Sequence, residues 1–246
     1  LKIGIISDIH SNIQALSSVF KDMENTGCDD VICLGDIVGY GANPAECIEL
    51  LIEKSVRSVM GNHDAGVCQR ISWELFNAFA KKAIDWTRER INKEHTEYLF
   101  NLPFNIEVGN SLFIHGALTS PFDYIKTSKT AFENLDILKE KYPDKSILFF
   151  GHSHVPFYCD GGKCVIGEEK RYRLDWKNEG NKYLINPGSV GQPRGGITEK
   201  ACYCIVDNEK QEILFRRISY DIKAAAKAII DNGLPEILAE RLFTGY

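Results

Sequence analysis

Short apolar runs, each closed by a cluster of polar residues, recur along the first part of the chain. Lys2 to Ser7 is hydrophobic almost throughout, as a central parallel strand buried on both faces should be. Val31-Ile32-Cys33-Leu34 and Val56 to Met60 repeat the pattern, and glycines punctuate the segments after them. Between the first two runs, Ser11-Asn12-Ile13-Gln14 reads as a capping box, and Ala15, Leu16, Val19, Phe20 and Met23 then fall at helical spacing. Asn43-Pro44-Ala45-Glu46 starts a second helix that runs to about Lys54, with proline at its first position. Strand, helix, strand, helix, strand predicts a parallel α/β unit, with polar residues at all three strand ends.

From about residue 65 to 102 the pattern changes. Trp73, Phe76, Phe79, Ala80, Ala83 and Trp86 form one helical stripe, and Lys93 to Leu102 predicts a second short helix. We expect a helical insertion over or beside the strand ends, its stripe packed as ordinary core. His95, among Lys93, Glu94 and Glu97, reads as a solvated helix residue. Two strands follow, Phe104 to Val108 and Ser111 to His115, joined by Gly109-Asn110. The loop from Thr119 to Ser128 carries Pro121, Phe122 and Tyr124 and is expected at a substrate rim. Thr130 to Lys141 predicts a helix, and Ile147 to Phe150 a fully apolar strand. The remainder to Val206 is rich in strands, with Asp160-Gly161-Gly162 turning a hairpin and Asn186-Pro187-Gly188-Ser189 breaking the pattern. Ala201 to Val206 pairs with Glu212 to Ile218, and two helices close the chain, the second from Pro235. Neither a repeat nor a clear linker divides it, so 1–246 is expected to be a single domain.

Composition adds little to this except by exclusion. With 246 residues, 44% hydrophobic and 26% charged, the chain can bury a substantial core. A net charge of −5 argues against an extended nucleic-acid surface. No apolar run is long enough for a transmembrane helix. The opening Lys2-Ile3-Gly4-Ile5-Ile6 is too short for a signal-peptide core, so a cytoplasmic location is expected. The eight cysteines lack zinc spacing and are expected to be free, buried or half-buried thiols. Oligomeric state leaves no mark in the sequence.

The chemistry lies at the strand ends. Of six histidines, five sit at or near the ends of hydrophobic runs: His10, His63, His115, His152 and His154. Asp8, Asp36 and Asn62 share those positions. Carboxyl ends of strands are where open α/β sheets place their ligand crevice. If the backbone stays extended after the first strand, Asp8 and His10 point the same way into it. Imidazole, carboxylate and amide oxygen without thiolate suit a two-metal hydrolytic centre, with Mn the first choice and Fe, Zn, Co or Ni fitting the same donors. Asp36 is expected to bridge two ions and the others to complete the site. Acidified water then serves as nucleophile, and no serine or cysteine is needed.

Asp8-x-His10, Gly35-Asp36-x-x-Gly39, Gly61-Asn62-His63-Asp64, His115-Gly116 and Gly151-His152-Ser153-His154 resemble, in order and spacing, the five motifs of the calcineurin-like metallophosphoesterases. The resemblance implies an α/β fold in which two mixed β-sheets pack as a sandwich flanked by helices. It implies Asp8, His10, Asp36 and His154 on one metal, and Asp36, Asn62, His115 and His152 on the other. His63 would protonate or stabilise the leaving group, oriented by Asp64. The chain is similar in its overall look to the small bacterial and archaeal phosphodiesterase branch. The implied activity is hydrolysis of phosphate esters, small phosphodiesters or nucleotides foremost, through a metal-bridging hydroxide. Family protein phosphatases carry an arginine near the place of Met60, which disfavours a phosphoprotein substrate. Non-catalytic modules on this fold lack ligands that are all present here. Arg194, in a glycine-rich loop, could hold a phosphate bidentately or be a surface arginine in a turn.

Overall fold

The computed structural model describes residues 1–72, 74, 76–176, 178, 180–196 and 199–246. Its first strand, β1 (Lys2–Ile6), is buried along nearly its whole length, as its composition requires. It lies parallel to β2 (Asp30–Cys33), with Ile5 beside Ile32, and β2 lies parallel to the two-residue β3 (Arg57–Ser58). On its other side β1 meets β11 (Lys200–Asp207) in antiparallel register, Ile5 opposite Cys204. The parallel unit read from the sequence is therefore half of a mixed sheet. Burial on both faces demands neighbours but does not set their direction.

Two sheets of six strands form the centre. The first has the order β3-β2-β1-β11-β12-β9, with β12 at Glu212–Ser219 and β9 at Arg171–Arg173. The second has the order β4-β5-β6-β10-β7-β8. Its strands are β4 (Asn105–Val108), β5 (Ser111–Ile114), β6 (Ile147–Phe149), β7 (Phe157–Cys159), β8 (Cys164–Ile166) and β10 (Tyr183–Asn186). Ile5, Ile32, Phe113, Phe149, Ile185 and Phe215 fill the space between the sheets. Phe113 and Phe149 stack there with ring centroids 4.9 Å apart. Each fully buried side chain of this size contributes about 1.5–3 kcal/mol.

Helices cover the outer faces. Ala15, Leu16, Val19, Phe20 and Met23 of α1 (Ile13–Thr26) join Cys47, Ile48 and Leu51 of α2 (Pro44–Glu53) in one core layer. Across the molecule, Ala131, Leu135 and Leu138 of α6 (Ser128–Lys141) pack on Leu148 and Leu184 of the second sheet. The start of α1 differs from the capping box expected: Asn12 is the cap, its side chain accepting from Ala15 N–H at 3.0 Å. Ser11 cannot serve, because its own backbone is left-handed, at φ 54°.

The insertion contains α3 (Asn62–Val67), α4 (Ala78–Arg90) and α5 (Lys93–Phe100). Its aromatic stripe is broken by Asn77, which caps α4 by accepting from Phe79 and Ala80 N–H. Phe76 thus precedes the helix, Phe79 is exposed, and Trp73 lies outside the described residues. His95 is buried with Leu99 on the inner face of α5, its Nε2 3.2 Å from Glu49 Oε1, and is not the solvated residue expected from its charged neighbours. Helices α7 (Ile222–Asp231) and α8 (Glu236–Thr244) pack with Ala80 and Ala83 of α4 and with Tyr40. Cys159 and Cys164 are joined in a disulfide, because the β7–β8 hairpin sets them directly opposite one another. The remaining six cysteines are free. Among the described residues, no helix is long and apolar enough to cross a membrane.

Candidate metal centre

The loops that leave β1 and β2 continue the pairing of their strands. Asp8 N–H donates to Gly35 carbonyl at 3.0 Å, and His10 N–H to Asp36 carbonyl at 2.9 Å. The backbone is not extended there, contrary to the expectation from sequence. Asp8, His10 and Asp36 adopt left-handed φ values of 54°, 49° and 53°, and His152 and His154 do the same at 65° and 63°. Such conformations are costly for residues with a Cβ and persist where the surroundings over-determine them, commonly at functional sites. The effect is to turn side chains from separate loops into one buried cluster.

Within it, Asp36 is central. Its Oδ1 accepts the His63 N–H at 2.8 Å. Its Oδ2 lies 3.6 Å from His10 Nε2 on one side and 3.4 Å from His115 Nε2 on the other. Two donor groups result, Asp8, His10, Asp36 and His154, and Asp36, His115 and His152, each with its ligand atoms within 4.8 Å of one another. Asn62 Oδ1 reaches the second group, 3.1 Å from His115 Nε2.

The donor set fits metal cations. His10 Nε2 and His154 Nε2 stand 3.2 Å apart, as do His115 Nε2 and His152 Nδ1. Three of these imidazoles are anchored from behind: the Nδ1–H groups of His10, His115 and His154 donate to the carbonyls of Val38, Leu34 and Gln192. That leaves each Nε2 facing the cluster, where in the neutral imidazole its lone pair can meet a metal, the arrangement a metal-binding histidine needs. Burial opposes the charge on Asp36, yet His115, His63 and His10 hold its carboxyl well below the usual range. Burial likewise opposes the His115 imidazolium, but Asp36 raises it to about 9. Burial lifts Asp8 to about 7 and pushes His63 down to about 4.

His63 and Asp64 both lie here, although not as a pair. The Asp64 carboxylate accepts the N–H groups of Ile37 at 2.9 Å, Val38 at 3.2 Å and Gly61 at 3.0 Å. It ties the Asp36 loop to the start of α3, and among the described residues His63 Nδ1 has no hydrogen-bond partner. The His63 ring is held instead by Tyr40, His10 and Phe76, with centroids 4.4, 4.8 and 5.1 Å away. Asn186-Pro187-Gly188-Ser189 is more than an interruption. Asn186 Nδ2 donates to Gly151 carbonyl at 2.7 Å and Ser189 Oγ to Asp8 carbonyl at 2.8 Å, so this segment buckles loops of both sheets together. Neither Tyr40 nor this support is evident from the sequence, where only the break is visible.

A cleft of about 310 Å³ opens over the cluster. Asp36, Asn62, His63, His152 and His154 form its floor, and Ile71, Phe76 and Asn77 of the insertion line it with Phe122 and Tyr124 of the expected rim loop. Arg194 lines it as well, half-buried, its Nη2 3.2 Å from Gln192 Oε1.

Residues 1–211 match the family model of the calcineurin-like phosphoesterase superfamily domain. The chain belongs to that superfamily. It is 44% identical over 250 residues to the uncharacterized protein MJ0912 of Methanocaldococcus jannaschii, covering 99% of this chain and 98% of that one. It is 25% identical over 225 residues to the phosphodiesterase YfcE of Escherichia coli K12, covering 87% and 91%. A metallophosphoesterase from Sphaerobacter thermophilus superposes with a TM-score of 0.87 at 35% identity, covering 100% of both chains. As a calcineurin-like phosphoesterase the chain is a metal-dependent phosphoric ester hydrolase, and the two mixed sheets flanked by helices are the fold of its structural relatives.

Proposed function

We propose that this calcineurin-like phosphoesterase is a two-metal phosphodiesterase acting on small phosphodiesters or nucleotides. The observation that carries the reading is the position of Asp36, one carboxylate oxygen of which faces imidazoles of both donor groups. Asp8, His10, Asp36 and His154 would hold one ion; Asp36, Asn62, His115 and His152 would hold the other. Mn suits the imidazole-rich set best. When bound there, two divalent ions would supply an acidified water as nucleophile and offset charge on the phosphoryl oxygens.

The protein's own groups do the rest. Asn62, being neutral, leaves the site a positive balance toward an incoming phosphate. Arg194, at the edge of the same cleft, offers a guanidinium fork to a phosphoryl oxygen pair. His63 is neutral in the free protein at pH 7, because burial opposes its charge. The arriving phosphate anion favours the imidazolium, so His63 takes a proton from solvent as substrate binds and passes it to the leaving-group oxygen, returning to the neutral imidazole. Asp64 is a positioning residue, acting through the backbone of the Asp36 loop. The cleft has room for a small ligand and is lined in part by Ile71, Phe76 and Asn77 of the insertion, which suits a compact diester. Residues 1–246 act as one unit, since α7 and α8 pack on Tyr40 at the wall of the cleft.

A substrate panel tests the reading. Phosphomonoesters, cyclic nucleotides, dinucleoside polyphosphates, bis-aryl phosphodiesters and a phosphopeptide are assayed with Mn, Ni, Co, Zn and Mg separately. The highest kcat/KM is expected for a diester with Mn, and a clear preference for the phosphopeptide would overturn the reading.

A further inference from the structure

The imidazoles around Asp36 are not all held in the same way. His10, His115 and His154 each have a main-chain carbonyl behind Nδ1, at 3.1, 2.7 and 2.7 Å. His152 is turned round, with Nδ1 toward the cluster, 3.2 Å from His115 Nε2. Among the described residues no carbonyl anchors its ring. The main chain at His152 is fixed, through its N–H to the Asp8 carboxylate at 3.1 Å and its left-handed φ of 65°. Neither constraint sets the two side-chain torsions.

The His115 ring lies tilted against that of His152 with centroids 4.9 Å apart, and what covers the His152 face is Tyr124. The two rings stack with centroids 3.8 Å apart and planes 17° from parallel. Lys126 Nζ stands 3.5 Å from the Tyr124 centroid. Two groups this close to one ring cannot share a face, so the phenol ring lies sandwiched between the ammonium and the imidazole. A cation over an aromatic face is an attractive contact. It holds Tyr124 against His152 although the tyrosine lies in a loop and is 42% exposed.

We infer that Tyr124 is a positioning residue: its ring, clamped by Lys126, keeps His152 turned with Nδ1 toward the second ion. The stack does for His152 what a carbonyl does for the other three imidazoles. The inference rests on the proposed two-metal function and adds to it a residue from outside the ligand set.

Mn titration of the metal-free protein, followed by calorimetry and by the spin-coupled dimanganese signal in electron paramagnetic resonance, tests it on wild type, Tyr124→Phe, Tyr124→Leu and Tyr124→Ala. Wild type and Tyr124→Phe should take up two ions with similar affinities, because the ring and not the hydroxyl is at work. Tyr124→Ala and Tyr124→Leu should keep one site unchanged and lose about 10–100-fold at the other, the usual cost of removing support from a ligand. Their coupled signal should give way to that of an isolated Mn at one equivalent. Fewer than two ions on wild type would refute the two-metal reading itself. Two ions on wild type, with unchanged affinities in either folded variant, would refute the positioning role alone; a raised KM would then assign Tyr124 to substrate. Equal weakening in Tyr124→Phe would overturn it too, by moving the role to the hydroxyl. Circular dichroism identifies the folded variants, and the leucine, which keeps apolar bulk, stands in if the alanine does not fold.

Discussion

Gly39 closes on the imidazole of His63 so tightly that a Cβ on Gly39 would stand 3.0 Å from His63 Cγ and closer still to Nδ1. Gly39 also has a φ of 90°, which side-chain-bearing residues rarely adopt. Gly39→Ala should therefore displace His63 without replacing a proposed metal ligand. A general acid contributes about 10²–10⁴-fold in rate, so both Gly39→Ala and His63→Ala should lose turnover on that scale while retaining two ions. The loss should be smaller for nitrophenolate leaving groups, which need little protonation, and larger for alkoxides. Metal analysis beside kcat on the two substrate types checks it. Metal lost in proportion to activity in His63→Ala would make His63 a ligand.

Asp36→Asn should be the most damaging single change among the proposed ligands. Its Oδ2 faces both His10 and His115, so removing the charge weakens two sites together. His10→Ala should chiefly empty one. Metal content and turnover of the two variants, compared directly, decide the matter. An Asp36→Asn protein with two ions and near-native rates would contradict the bridging role.

Asp64 is expected to matter to stability more than to proton transfer. Asp64→Ala leaves the N–H groups of Ile37, Val38 and Gly61 without their acceptor. Each buried unsatisfied group costs about 1–3 kcal/mol, so a total of about 3 kcal/mol or more is expected. For a chain of this size that lowers Tm by on the order of 10 °C. Asp64→Asn keeps Oδ1 as acceptor for Ile37 and Val38 and loses only the Gly61 bond, so its Tm should fall less. Thermal unfolding followed by circular dichroism measures both, and equal drops would contradict the capping role.

Metal binding should release protons. In the metal-free protein His115 is raised to about 9, burial being outweighed by the Asp36 carboxylate beside it. At pH 7 this imidazole is protonated and must lose its proton to become a ligand. Apparent Mn affinity should thus rise by about tenfold per pH unit from 7 and flatten above about 9. Calorimetric titrations in buffers of different ionisation heat report the proton count directly. An affinity independent of pH between 7 and 9 would contradict this.

The chemistry of the site was legible because its residue types are scarce. Five of six histidines at the ends of apolar runs cannot be explained by packing, and the spacing of Asp8, His10, Asp36, His152 and His154 carries their identity. Direction and conformation were less accessible. The burial of β1 is the same whether its neighbour runs parallel or antiparallel, so the pairing with β11 leaves no signature in the sequence of β1. An extended backbone at Asp8 and His10 was a natural assumption, but the paired loops force left-handed φ there. His95 is buried despite its charged neighbours in sequence, because they share only part of the helix surface and it lies on the face with Leu99. Contacts between distant loops, such as Tyr124 on His152 or Asn186 on Gly151, leave no periodic trace at all.

One carboxylate, that of Asp36, is expected to join two ions in this cleft. The anomalous scattering of a crystal of the Mn-loaded protein tests it most directly. Two peaks about 3.5–4 Å apart, the spacing usual in two-metal hydrolytic sites, should flank the Asp36 carboxylate. One should lie among Asp8, His10 and His154, the other among Asn62, His115 and His152. A single peak, or two peaks that do not share Asp36, would contradict the claim.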